Sequence, residues 1–299
     1  MTTTARDAGG FAATDLARLL DRACAAADLD PARARLLRGH TNAVFAVDEV
    51  VVKIARSGTR LASVQRTVDL AGWLGAQGFP TVPLHPVRQP VDLDGHYATY
   101  WTYLPQPAHP VAAERLADPL RLLHRLTDPP SRLPAVDTVA AIRRSLTATT
   151  ALAPAELHFL TNRLDELERE LAGVVYVLAP SVIQGDPQHR NALHAGHGSA
   201  VLCDWDTAAF GQPELDLVTV EIHCRRFGYG EAHYQAFADR YGYDIRTWDG
   251  YPTLAALREL RMITTNAKRA APGSPTLREV RRRVSGLASG HTQTRWNIL

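Results

Sequence analysis

The sequence predicts an α+β protein of two lobes, the first rich in strands and the second mostly helical. Three observations lead there. Short apolar, β-branched runs punctuated by turn residues dominate the first 104 residues. From residue 105 onward, apolar positions recur at helical spacing over 111–126, 137–150 and 154–172, and again after residue 214. A single strand-like island, residues 182–206, interrupts the helices. The division that follows is a strand-rich N-terminal lobe over 1–104 and a helical lobe over 105–299.

The elements follow in order. ATDLARLLDRACAAAD (13–28) has helical spacing, with Thr14 as a candidate cap. LLRGHTNAVFAVDEVVVKIAR (36–56) reads as two or three strands, turned at Gly39 and at Asp48-Glu49. Lys53 closes the run Val50-Val51-Val52. A helix over 61–77 stops at Gly78, with Pro80 just beyond. TVPLHPVRQPVDLDGHYATYWTYLPQP is a strand pair turned at Asp94-Gly95 and closed by Pro105, and residues 100–105 join the two lobes.

Composition narrows the class. The chain has 299 residues, 45% of them hydrophobic, which suffices for a sizeable core. A formal net charge of +2 argues against a nucleic-acid backbone or an anionic membrane as the main partner. Cys24, Cys203 and Cys224 are far apart and form no CxxC pair, so neither a disulfide framework nor a zinc ribbon is supported. No apolar run approaches the roughly 18 residues of a membrane span. MTTTARDAGG lacks the basic and apolar regions of a signal peptide, so the chain reads as cytoplasmic. Arg281-Arg282-Arg283 reads as a solvated helix face.

The chemistry concentrates in VIQGDPQHRNALHAGHGSAVLCDWD (182–206), which crowds Asp186, Asn191, Asp204 and Asp206 among strand-like residues. Like charges held close cost free energy unless a cation or a proton relieves them. Asn191 follows Asp186 by five positions and Asp204 follows it by 18, a spacing suited to phosphoryl transfer. Magnesium wants hard oxygens, a carboxylate and an amide from the protein with phosphate oxygens and water completing the shell. A separate carboxylate must take or orient the attacking hydroxyl proton. Asp186 is then the candidate base, Asn191 and Asp204 are candidate metal ligands, and Mg²⁺ with ATP relieves the crowding. His194 and His197 read as a solvated hairpin tip, Cys203 as strand packing, and His124 as a satisfied histidine between helices.

QGDPQHRN and Asp204-Trp205-Asp206 resemble the H-G-D-x-x-x-x-N segment and D-[WF]-[DE] triplet of the aminoglycoside phosphotransferase and choline kinase family, which shares the fold of protein kinases. The stretch from Gly211 to Leu217 fits as well, and implies that Asp216 braces the catalytic loop. The resemblance covers roughly residues 30–270. It implies that Gly39-His40-Thr41-Asn42 positions the nucleotide and that Lys53 neutralises the α- and β-phosphates. It makes 100–104 a hinge where main-chain groups of Thr102 and Leu104 bind adenine. Two departures stand out. Gln184 replaces the family's His, although Gln also donates and accepts. Thr67 stands where a helix Glu is usual, and Asp69 faces another side, so Lys53 is left to Asp69, to Asp204 or to no acid.

The resemblance implies an ATP- and Mg²⁺-dependent kinase that phosphorylates a hydroxyl of a small molecule, an antibiotic or related natural product. The alternatives are a non-catalytic pseudokinase and a kinase of a primary-metabolism alcohol. A protein kinase is disfavoured by the lack of G-x-G-x-x-G, H-R-D, D-F-G and A-P-E segments. From residue 180 onward, 12 Asp and Glu face 14 Lys and Arg, with Arg225, Arg226, Arg258 and Arg261 on helices expected to line the cleft. That balance suits a neutral or weakly charged acceptor better than a polyamine. Phe227, Tyr229, Trp248 and Tyr251 are candidate stacking surfaces.

Overall fold

The computed structural model describes Phe11 and residues 13–39 and 41–299. His40 of the expected nucleotide turn and the side chain of His197 lie outside the described residues. Two compact units are present. The first takes in the described residues up to Pro110 together with Asp128–Leu133 and Ala192–Ala208, and the second the remaining segments from Val111 to Leu299.

The first unit is built on helix α1 (Ala13–Ala25) and strands β1 (Arg35–Arg38), β2 (Ala43–Val47), β3 (Val50–Ile54), β4 (Val91–Asp92) and β5 (Tyr97–Thr102). The five strands form one antiparallel sheet in the order β1-β2-β3-β5-β4. Asp48 and Asp94 adopt left-handed backbone at the two turns the sequence marks, where Asx residues tolerate that conformation. Val50, Val52 and Ile54 are buried with Phe45, Tyr100 and the Leu19, Ala23 and Cys24 face of α1. The Tyr100 hydroxyl donates to the Ala23 carbonyl at 2.8 Å. Thr14 lies inside the first turn of α1, one residue past the start, so it is not the cap the sequence suggested. Because strand side chains alternate, a core at Val52 and Ile54 sends Lys53 to the opposite face of the sheet. Helix α2 (Leu61–Ala76) follows and ends before Gly78, whose φ is +68°. A short antiparallel pair, β7 (Ala192–His194) with β8 (Ala200–Leu202), also belongs to this unit.

The second unit holds helices α3 (Ala113–Leu123), α4 (Thr138–Thr147), α5 (Pro154–Leu171), α6 (Glu214–Arg226), α7 (Glu231–Tyr241), α8 (Tyr251–Ala267) and α9 (Pro275–Ala288). Strand β6 (Ser181–Ile183) pairs antiparallel with β9 (Ala209–Gly211), a strand just past the island read from the sequence. Leu257, Leu260 and Ile263 of α8 pack with Leu160, Leu164 and Leu167 of α5 and with Val280 and Val284 of α9. Helix α6 is buried almost all round, so its charged residues need internal partners. Among the described residues no helix is long and apolar enough to cross a membrane.

One expectation is corrected here. Arg281-Arg282-Arg283 is not a solvated face, because Arg283 is only 2% exposed and donates to Glu279 at 2.9 Å. Arg282 forks onto the same carboxylate at 2.8 Å while remaining exposed, as Arg281 does. Glu279 lies three and four residues before the two arginines, and that spacing makes the pairing possible.

Candidate active site

In the first unit, the Lys53 ammonium lies 2.8 Å from Asp204 Oδ1 and 2.7 Å from Asp206 Oδ2. Burial alone would lower its pKa, but the two carboxylates outweigh burial and raise it above the ordinary lysine value. In turn Lys53 holds the Asp204 carboxyl below the usual range. Asp204 has φ 60° and ψ 65°, a left-handed conformation that costs about 1 kcal/mol or more for a non-glycine residue. It opens a 3-10 turn over Trp205–Thr207. Trp205 is buried against Phe79, and its indole N–H donates to Thr81 Oγ1 at 2.9 Å, which anchors the triplet between the two aspartates.

Lys53 therefore meets two acids, and neither is Asp69, which is exposed and accepts from Gln65. Thr67, at the usual acidic position, sits 3.4 Å from Asp206 Oδ1. Asn42 reaches the same aspartate, donating to Oδ2 at 3.0 Å while its own oxygen accepts from the Arg56 N–H. Gly39 lies in the connection between β1 and β2. At the expected hinge, the Thr102 N–H is committed to the Pro83 carbonyl at 2.9 Å and Tyr103 donates to Glu49. The Leu104 N–H makes no hydrogen bond among the described residues, so it is the hinge donor that could meet a base. Burial, then the charge of Asp204, push the Cys203 thiol up to about 12, in keeping with packing rather than nucleophilic chemistry. His194 is half-buried, with Nε2 3.2 Å from the His109 carbonyl and the two rings edge to face, so it is not merely a solvated tip.

In the second unit, β6 runs into Gly185, whose φ of +81° only glycine adopts without strain, and then into Asp186. Asp216 of α6 is fully buried and accepts the N–H groups of Gln184 at 2.7 Å and Gly185 at 2.8 Å. His124 closes the brace, with Nε2 3.1 Å from Asp216 and Nδ1 2.8 Å from the Tyr241 hydroxyl. Gln184 keeps a buttressing contact, its Oε1 accepting the Asp186 N–H at 2.7 Å. Asp186 Oδ2 accepts from Gln188 at 2.7 Å and from Asn191 at 3.1 Å, and Oδ1 is ion-paired with Arg258 of α8. Asn191 spends its nitrogen on Asp186, which leaves its oxygen as the atom able to meet a cation.

Other residues expected around the cleft are committed elsewhere. Arg226 is buried and forks onto Glu259, and Arg225 pairs with Glu221 and Glu259. Phe227 stacks on His223, Tyr229 lies against His189 at 3.8 Å, and Trp248 is buried, donating to the Val175 carbonyl. Sequence reasoning placed Arg258 on a cleft-lining helix without its contact to Asp186, and it missed Gln188. No spacing rule connects residue 258 with residue 186, whereas Gln188 lies within the quoted segment and carried a signal that was open to reading.

Residues 33–260 match the model of the phosphotransferase enzyme family. The chain belongs to that family. It is thus a phosphotransferase of the small-molecule kinase kind, acting on a hydroxyl group. An amicoumacin kinase in complex with AMP-PNP and Ca²⁺ aligns with a TM-score of 0.70 at 13% identity, over 95% of this chain and 98% of that one. A microcompartment-associated aminopropanol kinase aligns at 0.71 and 15% identity, over 94% and 99%. A choline/ethanolamine kinase family protein from Mesorhizobium loti aligns at 0.67 and 17% identity, over 92% and 94%. At such identities these likenesses speak for the protein-kinase-like fold alone. No curated protein matches the chain in sequence.

The phosphotransferase carries donors that suit a hard divalent cation. Asp204 and Asp206 of the first unit offer carboxylate oxygens. Magnesium is ordinarily held by one or two carboxylates with phosphate oxygens, so the oxygens present are enough. Among the described residues no group of three or more His, Cys, Asp and Glu side chains could hold a metal by itself.

Proposed function

We propose that the protein is an ATP-dependent O-phosphotransferase acting in the cytoplasm on a hydroxyl of an antibiotic or related natural product, for resistance or biosynthesis. The observation that carries the reading is the convergence of Lys53 on Asp204 and Asp206, with Asp204 held in a costly left-handed conformation. A chain retains such strain where a carboxylate is needed at that point. In this reading Lys53 neutralises the α- and β-phosphates, Asn191 and Asp204 hold Mg²⁺, and Gly39, Asn42, Thr102 and Leu104 surround the nucleotide. Bound there, the metal would neutralise charge on the phosphates.

Asp186 is the base. The acceptor oxygen forms a bond to the γ-phosphorus, the bond from that phosphorus to the β,γ-bridging oxygen breaks with its electron pair leaving on ADP, and the hydroxyl proton passes to Asp186. The brace by Asp216, with Gln184 and Asn191 on the loop itself, orients the carboxylate for that proton. The test is ATP consumption with a panel of hydroxylated antibiotics and metabolites, for wild type and Asp186→Asn. Turnover on at least one acceptor is expected, falling on the order of 10²-fold or more in the variant while ATP binding persists. A variant that turns over the same acceptor at the wild-type rate would remove Asp186 from this role.

A further inference from the structure

Beside Asp186 the second unit carries an excess of arginine that its acids do not balance. Arg258 and Arg261 are three residues apart on α8 and so share a face. Arg258 pairs with Asp186, yet its Nε is buried without a hydrogen-bond partner among the described residues. Arg261 reaches to α4, where Nη1 donates to Ser145 Oγ at 3.0 Å and lies 3.4 Å from the Ala141 carbonyl. It forms no ion pair among the described residues, and neither does Arg144, the neighbour of Ser145 at the solvent edge. Burial first, then the charges of Arg258, Arg144 and Arg269, lower the pKa of Arg261. His223, close to Arg258, is 8% exposed with Nε2 lacking a partner among the described residues, and burial followed by the Arg258 charge keeps it neutral.

The contrast with helices α6 and α9 is informative. Arg225, Arg226, Arg282 and Arg283 each have a glutamate at 2.7–2.9 Å. Of Arg144, Arg258 and Arg261, only Arg258 has an acid partner among the described residues, Asp186. Guanidinium groups near enough for their charges to bear on one another repel, and their planar forks suit carboxylate or phosphate oxygens. An acceptor bearing an ammonium group would add to the repulsion, whereas one bearing an anion would relieve it.

We propose that Arg144, Arg258 and Arg261 bind a carboxylate or phosphate carried by the acceptor, so that its hydroxyl is presented to Asp186. The proposal rests on the reading of Asp186 as the base. The acceptor's anion competes with Asp186 for Arg258, and the incoming hydroxyl takes the place the guanidinium leaves at Oδ1.

The full chain is titrated calorimetrically with glycerate, glycerol phosphate, glycerol and choline in the absence of nucleotide. The anions are expected to bind on the order of tenfold or more tighter than glycerol, the worth of one charge-assisted hydrogen bond. Arg144→Gln and Arg261→Gln should each lose that preference, and Arg261→Lys should keep part of it, with melting curves confirming that each variant is folded. Equal affinity for glycerol and its anions, or anion affinity untouched in both glutamine variants, overturns the inference. So does a loss of ATP affinity in those variants with anion affinity unchanged, which would assign the arginines to the nucleotide. Binding does not require turnover. If the anions bind as expected and no alcohol of any charge is phosphorylated, the arginine site stands and the assignment of Asp186 as base fails.

Discussion

Asp204 and Asn191 differ by one charge, and that difference sets the size of their expected effects. Asp204→Ala removes a full negative charge that Lys53 and a cation would share, whereas Asn191→Ala removes a neutral oxygen and a donor to Asp186. Magnesium-dependent nucleotide binding should therefore weaken in both variants and more in Asp204→Ala, as read from Mg²⁺ titrations of bound ATP. Unchanged metal dependence in Asp204→Ala would take this aspartate out of the site. Lys53 makes a second case. With Thr67 in place of a helix acid, Asp206 is its other anchor, so Asp206→Asn should raise the KM for ATP and lower the Lys53 pKa. NMR titration of the lysine ammonium reads that shift directly, and an unmoved pKa would show that Asp204 alone sets it.

Helices α6, α8 and α9 hold the C-terminal segment through buried charges rather than through apolar contacts alone. The Trp296 ring lies between the guanidinium groups of Arg226 at 4.7 Å and Arg283 at 4.6 Å, each neutralised by its own glutamate. The Trp296 backbone N–H donates to the Arg226 carbonyl, and the side chain is 5% exposed. Trp296→Ala should cost about 3–5 kcal/mol, the range for deleting a buried tryptophan, and it leaves two buried cations without their ring. Urea unfolding measures it, and a loss under about 1 kcal/mol would mean that this segment contributes little to the helices it covers. The element scale also shows where reading by pattern works. The strand bearing Lys53 was legible because VVVKI is an apolar β-branched run, and α2 because Gly78 and Pro80 mark its end. Helix α6 was harder, since burial on nearly every side erases the apolar stripe and leaves Glu221 looking like a surface residue.

Across the molecule, the buried histidines determine how stability responds to acid. Burial, opposed by a hydrogen bond to the Val111 carbonyl, lowers the His189 pKa to about 4, and burial followed by nearby cations lowers that of His223 well below 6.5. Both are neutral in the fold, while the unfolded chain takes up protons below its ordinary histidine pKa near 6.5. Stability is thus fully present above about pH 6.5 and falls as the pH drops toward the folded values. His189 alone should remove about 2 kcal/mol by pH 5. Below about pH 4 the carboxyls of Asp118 and Asp244, lowered chiefly by Arg240 and Arg246, would add to the loss. Urea midpoints at pH 7.5, 6 and 5 should decline in that order, and a flat profile would show that these histidines titrate normally.

Local rules were enough for much of this protein: alternation and helical spacing for the two kinds of unit, turn residues for the breaks, and the spacing of Asp186, Asn191 and Asp204 for the family. All of these are properties of near neighbours along the chain. The partners of the charges were not. That Lys53 meets Asp206 as well as Asp204, that Arg225 and Arg226 are spent on glutamates, and that Arg258 lands on Asp186 depend on contacts between residues 33 to 153 positions apart. Beyond the i,i+3 and i,i+4 pairs of a helix, a charge has no sequence signature of its partner, because Coulomb attraction acts through space and burial decides its strength. Composition could count the arginines after residue 180, but only packing separated those already neutralised from those still facing an unfilled anion.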